Sequence, residues 1–336
     1  MAISAKLKKT INYALRIVIA AAALWFIYKQ LTDADNWQSF KDTVTSRLNS
    51  TSFRFQVFIV LLLMPVNWGI ESYKWRMLIA YVERITFKHA MLSVFTGITM
   101  SLFTPNRIGE FFARLLTLKK APLMKGAFLT ITGSISQLLT TLLFGMLALC
   151  IFIPSYYSLS ETRNYLIWLL VCITCGFAGI TMVMMYLRVP GIYRLTTVFV
   201  KPGWEKIRGY LRVIRRLKRR LLLKVLLLSI SRYLVFSTQF FLMLLAFGLP
   251  IDWFNAFILI SMTYFTMTAI PTIALVDLGI RGSVSIYFLG LYFNGVAGAS
   301  VSILAATTAV WIVNMALPAI IGLMFIYRIN IIRKEA

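Results

Sequence analysis

Long apolar runs, separated by short polar and mostly basic stretches, dominate the pattern along this chain. An α-helix needs about 20 mainly apolar residues to cross a hydrocarbon core about 30 Å thick. Runs that reach this length lie at 11–28, 57–79, 127–153, 165–187, 225–247 and 301–327. The pattern therefore predicts an all-α fold, a polytopic helical membrane protein whose first helix is an uncleaved transmembrane helix.

Two further apolar stretches are interrupted at their centres. The stretch 91–118 is broken at Thr104-Pro105-Asn106-Arg107-Ile108-Gly109-Glu110, and the stretch 254–293 is broken at 270–282. Because a helix rises 1.5 Å per residue, the arms on either side of each break are short for a full crossing. We therefore favour re-entrant segments. The alternative, a tightly tilted pair of full crossings, is left open, because both arrangements return the chain to the side of the membrane from which it started.

The two broken stretches occupy the same place in two similar halves. Residues 57–153 and 225–336 each contain a crossing helix, a broken segment and another crossing helix, entered from opposite sides of the membrane. Residues 1–56 form a transmembrane helix and an extracytoplasmic amphipathic segment in this interpretation. Residues 154–224 add one more transmembrane helix and the basic cytoplasmic linker 188–224. Inverted-topology halves with Pro/Gly interruptions point to the binding site of a transporter.

Composition and charge support a membrane location. The chain is 60% hydrophobic, above the roughly 45–50% of soluble domains, and its mean hydropathy is +0.80. Its 35 Lys and Arg against 11 Asp and Glu give a net charge of +24, which in a soluble protein would suggest nucleic acid. Here the basic clusters flank the apolar runs on one side, so we expect no nucleic-acid partner. We expect the cytoplasmic (inner) membrane, with both termini cytoplasmic.

Charged side chains near the first break are the first candidates for function. Arg107, Glu110 and Arg114 lie at i, i+3 and i+7, on one face of a helix for which Thr104 and Pro105 provide the start. A charge at the centre of a bilayer costs about 2.5–3.5 kcal/mol, so this face needs partners or water. The three residues either form an internal ion network or present their arginines to an anionic group.

A second set of candidates lies at the second break and on the helix before the first. Asp277 and Arg281 lie at i and i+4, and either they line the same cavity or Asp277 caps the following arm. Glu71 shares a helix face with Asn67 and Lys74, and we expect Lys74 to extend towards the interface. Arg232 could pair with Glu71 or Asp277, or its side chain could extend towards the interface. Supporting backbone positions at the two breaks are Pro105, Gly109, Pro271, Gly279 and Gly282.

At these breaks the sequence resembles the transmembrane region of lysylphosphatidylglycerol synthases, a family of flippase-like membrane proteins. The resemblance rests on the motif 104–110 with Arg114, on Pro271 with Leu278-Gly279-Ile280-Arg281, and on Lys74-Trp75-Arg76. Asn106 and Gly282 depart from the glycine and glutamate usual at those places, and the second departure bears on substrate chemistry. Since we expect no soluble aminoacyl transferase domain here, the resemblance implies lipid translocation rather than lysyl transfer.

These observations predict a lipid flippase or transporter for a charged-headgroup phospholipid or lipid-linked molecule, with an anionic or aminoacylated phospholipid as its partner. Arg107, Arg114 and Arg281 would bind phosphate, and Glu110, Asp277 and Glu71 would balance them or meet a cationic headgroup. Two alternatives stay open: a membrane-embedded enzyme acting on a lipid-linked substrate, and a lipid-binding scaffold that uses the basic linker. We expect no catalytic residue, no metal and no cofactor, and homo-oligomers are compatible with the sequence.

Overall fold

A computed structural model describes residues 42, 45–102, 104, 108–118, 122–189, 213–270 and 274–325, with the backbone alone for 274–277. Every long element that these residues form is a helix. The last crossing contains a π-helical segment between two α-helices. In chain order the elements are α1 (Thr51–Ile79), α2 (Phe87–Ser101), α3 (Ile108–Leu116), α4 (Leu123–Tyr156), α5 (Thr162–Leu187), α6 (Arg219–Ala246), α7 (Trp253–Ala269), α8 (Ala274–Tyr292), α9 (Ala299–Trp311), the π segment (Ile312–Ala316) and α10 (Leu317–Leu323).

Side-chain caps fix where several helices begin. The Ser50 hydroxyl accepts a hydrogen bond from the Phe53 backbone N–H at 3.4 Å. The Thr86 hydroxyl does the same for α2, and the Asp252 carboxylate accepts from the Asn255 N–H at 3.0 Å to start α7. Each cap satisfies one of the backbone donors that a first helical turn leaves without an intrahelical partner.

The chain is a multi-pass membrane protein. Within the described ranges, helices long and apolar enough to cross a membrane are α1, α4, α5, α6 and the continuous unit Ala299–Leu323 that α9, the π segment and α10 form. Helix α5 lies at the periphery, because Gly179 and Tyr186 are its buried residues and most of its large apolar side chains face outward. The predicted first helix at 11–28 and both termini lie outside the described residues.

The first break lies where the sequence predicts it, between α2 and α3, but the second is shorter than predicted. Helix α8 begins at Ala274, so Asp277, Gly279, Arg281 and Gly282 are helical, and the prediction of a break extending to residue 282 was wrong. A helix satisfies its own backbone groups, which is the arrangement that hydrocarbon surroundings favour, and glycine is common in such helices.

The last crossing contains an irregularity that its apolar sequence does not signal. Between Trp311 and Leu317 the helix widens to a π turn, and the Asn314 side-chain amide donates to the Val310 carbonyl at 3.2 Å. In a regular α-helix that carbonyl would accept from the backbone N–H of residue 314. The side chain therefore serves a carbonyl at the point where the ladder shifts.

Two glycine contacts join the first part of the chain to the last. Helix α1 packs along α6, α2 packs on α10, and α4 packs on α7. A Cβ added to Gly322 of α10 would overlap the Phe95 carbonyl oxygen of α2, and one added to Gly145 of α4 would overlap the Phe265 side chain of α7. At both contacts the missing side chain allows the helices to approach closely.

Candidate functional site: a buried ion cluster

Glu71, in the interior of the crossing helix α1, is the centre of a buried group of charges. Its Oε2 lies 2.7 Å from Lys74 Nζ, one turn further along the same helix. Its Oε1 accepts a hydrogen bond from Arg114 Nη1 of α3 at 2.9 Å. The Nε of Arg232, on α6, lies 3.8 Å from Oε2. One carboxylate therefore connects three helices, and all these residues are buried or half-buried.

Arg114 bridges two carboxylates. Its Nη2 also donates to Glu110, one turn earlier on α3, and the arginine is 3% exposed. Gly97 of α2 provides the space, because a Cβ there would lie 3.0 Å from both the Arg114 Cγ and the Glu110 carbonyl oxygen. The second arm of the first broken segment is thus fastened to α1 through charge-assisted hydrogen bonds.

Neutral polar side chains surround the cations of this group. Lys74 Nζ donates to the Ser229 hydroxyl of α6 at 3.3 Å, and that hydroxyl lies 2.9 Å from the hydroxyl of Ser136 of α4. Arg232 donates to the Gln137 side-chain oxygen at 3.3 Å, and its guanidinium lies 4.8 Å from the centre of the Trp68 ring. The ring face adds a cation–π interaction where water is scarce.

We call Glu71, Lys74, Glu110, Arg114 and Arg232 the Glu71 cluster. It contains three cations and two carboxylates, a net charge of +1 when all five are ionised. Charges withdrawn from water are tolerated when they are paired and hydrogen-bonded, as they are here. A surplus of positive charge in such surroundings also favours the approach of an anion.

A second buried contact lies one turn before Glu71. The Asn67 side-chain amide donates to the Asn314 Oδ1 at 2.9 Å, and both residues are almost fully buried. Asn314 belongs to the π segment, so the face of α1 that carries Glu71 also touches the irregular part of the last crossing.

The structure brings some of the predicted residues together. Glu71, Glu110 and Arg114 meet, and so does Arg232, for which pairing with Glu71 was one of three predicted options. The Gly109 backbone N–H donates to the Thr104 hydroxyl at 2.7 Å, so Thr104 caps the first turn of α3. Arg107, Pro105, Pro271 and the side chain of Asp277 lie outside the described residues, and their predicted roles stay predictions.

The remaining predicted positions lie on α8. Arg281 is half-buried, and a Cβ on Gly282 would lie 2.7 Å from Leu304 Cδ1 of α9, so this glycine allows α8 to approach α9. A Cβ on Gly279 would have none of the described residues within 4 Å. The supporting role predicted for Gly282 thus has a packing basis in the structure, whereas Gly279 has none.

One prediction about the Glu71 cluster was wrong, and several polar residues around the cluster were missed. Lys74 does not extend towards the interface: it is 1% exposed, because Glu71 and Ser229 bind its ammonium group inside the protein. Ser136, Gln137 and Ser229 were not predicted. Their signal was present as small or amide side chains inside apolar runs, where such residues commonly bond across helices.

Comparison with known families decides the relationship. The family profile described as the lysylphosphatidylglycerol synthase transmembrane region matches residues 13–322. The chain belongs to this family. No curated protein and no solved structure matches the chain itself.

The match confirms the resemblance found at the two breaks and on α1. In the structure, each residue of the motif Lys74-Trp75-Arg76 makes a polar contact of its own. Lys74 belongs to the Glu71 cluster, Trp75 donates its indole N–H to the Thr130 hydroxyl of α4 at 3.1 Å, and Arg76 donates to the Ile85 carbonyl at 3.2 Å. These three consecutive residues of the lysylphosphatidylglycerol synthase transmembrane region thus connect α1 to α6, to α4 and to the segment before α2.

Proposed function

We propose that this protein moves a charged-headgroup phospholipid or lipid-linked molecule between the leaflets of the cell membrane. The Glu71 cluster carries the proposal, because ionised side chains inside a membrane protein are costly and usually mark the path of a polar substrate. Membership of a family named for a lipid synthase fits a lipid as the substrate.

In this proposal the headgroup phosphate competes with carboxylates for shared cations. Arg114 is held by Glu71 and Glu110, while Lys74 and Arg232 approach Glu71 from the other side. A phosphate that enters can accept the hydrogen bonds that these cations otherwise donate to the carboxylates. The carboxylates that are released then balance the remaining positive charge of the cluster, or they bind a cationic headgroup.

The headgroup pathway lies, in this proposal, between the two broken segments. Arg107 would belong to this pathway at the first break, and Asp277 and Arg281 would belong to it at the second. Arg281 and Arg107 would bind phosphate, and Asp277 would balance them. The side chains of Arg107 and Asp277 enter as predictions from the sequence.

The proposal includes two inverted halves that rock against each other. The packing of the helices supports this rocking motion. The first helix of each half, α1 and α6, packs against the other. Each half also offers a glycine of its last crossing helix to a phenylalanine of the other half's broken segment: Gly145 meets Phe265, and Gly322 meets Phe95. Reciprocal contacts of this kind suit an alternating opening to the two sides.

Leaflet exchange in reconstituted liposomes tests the function. Fluorescent phosphatidylglycerol and an aminoacylated phospholipid are placed in both leaflets, and a membrane-impermeant quencher measures the fraction that becomes accessible. We expect exchange with the wild type and at least a tenfold slower rate for Glu71→Gln and Arg107→Ala. Arg163→Ala is the matched control, since Arg163 is 80% exposed beside Glu161, away from the cluster.

The other outcomes separate the alternatives. A chemically altered lipid without leaflet exchange would support a membrane-embedded enzyme. Lipid binding without either result would support a scaffold. Exchange that is unaffected by Glu71→Gln would exclude the Glu71 cluster from the pathway, and exchange that is unaffected by Arg107→Ala would exclude Arg107.

A further inference from the structure

A second polar site lies in the later part of the chain, apart from the Glu71 cluster. Tyr264 of α7 is 8% exposed, and its hydroxyl has no hydrogen-bond partner in the described structure. The same is true of the Ser285 hydroxyl of α8, which is fully buried. Buried hydroxyls almost always find a partner, so two without one among packed helices call for an explanation.

Aromatic rings enclose the Tyr264 side chain. The ring centre of Phe236 lies 5.2 Å from that of Tyr264, and those of Tyr233 and Phe240 lie 6.0 and 6.2 Å away. Tyr233 uses its own hydroxyl, which donates to Ser261 at 2.9 Å. The neighbouring tyrosines therefore differ: one hydroxyl is satisfied within the protein and the other is not.

A positive charge accompanies the unsatisfied hydroxyl. The guanidinium of Arg281 lies close enough to Tyr264 for the two groups to interact electrostatically. Ser285 follows Arg281 by four residues, so the two side chains share a face of α8. A guanidinium and two hydroxyls thus lie on two helices that pack against each other, and they offer both donors and acceptors.

We propose that Tyr264 and Ser285 form a subsite that binds the hydroxyl groups of a polyol phosphate headgroup, with Arg281 holding its phosphate. Hydroxyls both donate and accept, so they complement the hydroxyls of a glycerol, inositol or sugar headgroup. Arginine suits phosphate because its planar fork donates two parallel hydrogen bonds. The inference rests on the proposed function for the identification of the ligand as a lipid.

Binding of a matched lipid pair tests the subsite. Phosphatidylglycerol and phosphatidylpropanol have the same charge and differ in two headgroup hydroxyls. In phosphatidylcholine nanodiscs, native mass spectrometry of bound lipid should show phosphatidylglycerol bound about 2- to 10-fold more tightly by the wild type, the range for a net hydrogen bond. Tyr264→Phe should lower the affinity for phosphatidylglycerol by that factor and leave the affinity for phosphatidylpropanol unchanged. Tyr287→Phe, at a residue of α8 that is 58% exposed, is the control.

Thermal unfolding of the lipid-free protein in detergent gives a second measurement. Tyr264→Phe removes a hydroxyl without a partner, so the melting temperature should stay the same or rise. Tyr233→Phe breaks the bond to Ser261 and should lower it. An equal fall for both variants would overturn the proposal, because it would show that the protein itself satisfies the Tyr264 hydroxyl.

The binding results also separate this inference from the proposed function. Equal affinity of the wild type for the two lipids, or equal weakening of both by Tyr264→Phe, would overturn the subsite even if leaflet exchange occurs. Preferential binding of phosphatidylglycerol without leaflet exchange would support the subsite and contradict transport.

Discussion

Arg114 of α3 donates to Glu71 of α1 across 43 positions of sequence, and the two groups are 2.9 Å apart inside the membrane protein. The second arm of the first broken segment is thereby fixed to the helix that precedes the segment. Because Arg114 also holds Glu110, a single guanidinium determines the placement of two carboxylates. The broken segment and the ion cluster are therefore one structural unit.

A double-mutant cycle on Glu71 and Arg114 should reveal strong coupling. Glu71→Ala and Arg114→Ala each leave buried charges without their partner, so each should destabilise the protein by about 3–5 kcal/mol. The double variant should lose less than the sum, with a coupling energy of about 1–3 kcal/mol. Thermal unfolding in detergent measures it. The exposed pair Glu161–Arg163, treated in the same way, should couple by less than about 1 kcal/mol.

Gly322→Ala should disrupt the packing of α10 on α2. Its Cβ would overlap the backbone oxygen of Phe95, which cannot move aside as a flexible side chain can, so we expect a loss of about 3 kcal/mol or failure to fold. Folded yield and thermal unfolding measure the effect. Gly290→Ala is the control, because a Cβ there has no neighbour within 4 Å in the part of the chain that the structure describes, and it should be neutral or slightly stabilising. Equal effects would contradict the close approach.

Asp252 should give α7 a pH-dependent stability. Hydrogen bonds from the backbone and side chain of Asn255 hold the pKa of the Asp252 carboxyl below its ordinary value. Its contribution is therefore full above that ordinary pKa and is lost as the pH falls through the lower pKa of the folded state. Asp252→Ala should destabilise by about 1 kcal/mol at neutral pH.

The difference in stability between the wild type and Asp252→Ala should shrink when unfolding is repeated near pH 3. Asp252→Asn is the matched variant, since asparagine also caps helices but does not titrate in this range. It should keep the stability without this pH dependence. A pH dependence that survives in Asp252→Asn would have to originate from another group.

Single cysteines should show how deep the first break lies. In a background in which Cys150, Cys172 and Cys175 are replaced, Thr104→Cys should react slowly with an impermeant thiol reagent added from outside. This follows because a re-entrant tip stays within the membrane. Ser158→Cys, in the exposed turn between α4 and α5, should react quickly and serves as the reference. Equally fast labelling of both positions would favour two full crossings.

The sequence by itself determined the class of the fold and much of the first break. Apolar runs of crossing length must form helices, because lipid offers no hydrogen bonds to an open backbone. Thr104 and the pair Glu110 and Arg114 likewise act locally, over one or two turns: the Thr104 hydroxyl accepts from the Gly109 N–H, and Arg114 donates to Glu110. Family membership was also readable, since its motifs are short and contiguous.

Only the tertiary structure decided which charges meet and where helices deviate. The partner of Asn67 is 247 positions away, and Lys74 is buried because Ser229 of another helix and its neighbour Glu71 bind it. Periodicity reports the face on which a side chain lies, but not what packs against that face. The π segment likewise has a distant neighbour, because its Asn314 accepts a hydrogen bond from Asn67 of α1 that a linear pattern does not contain.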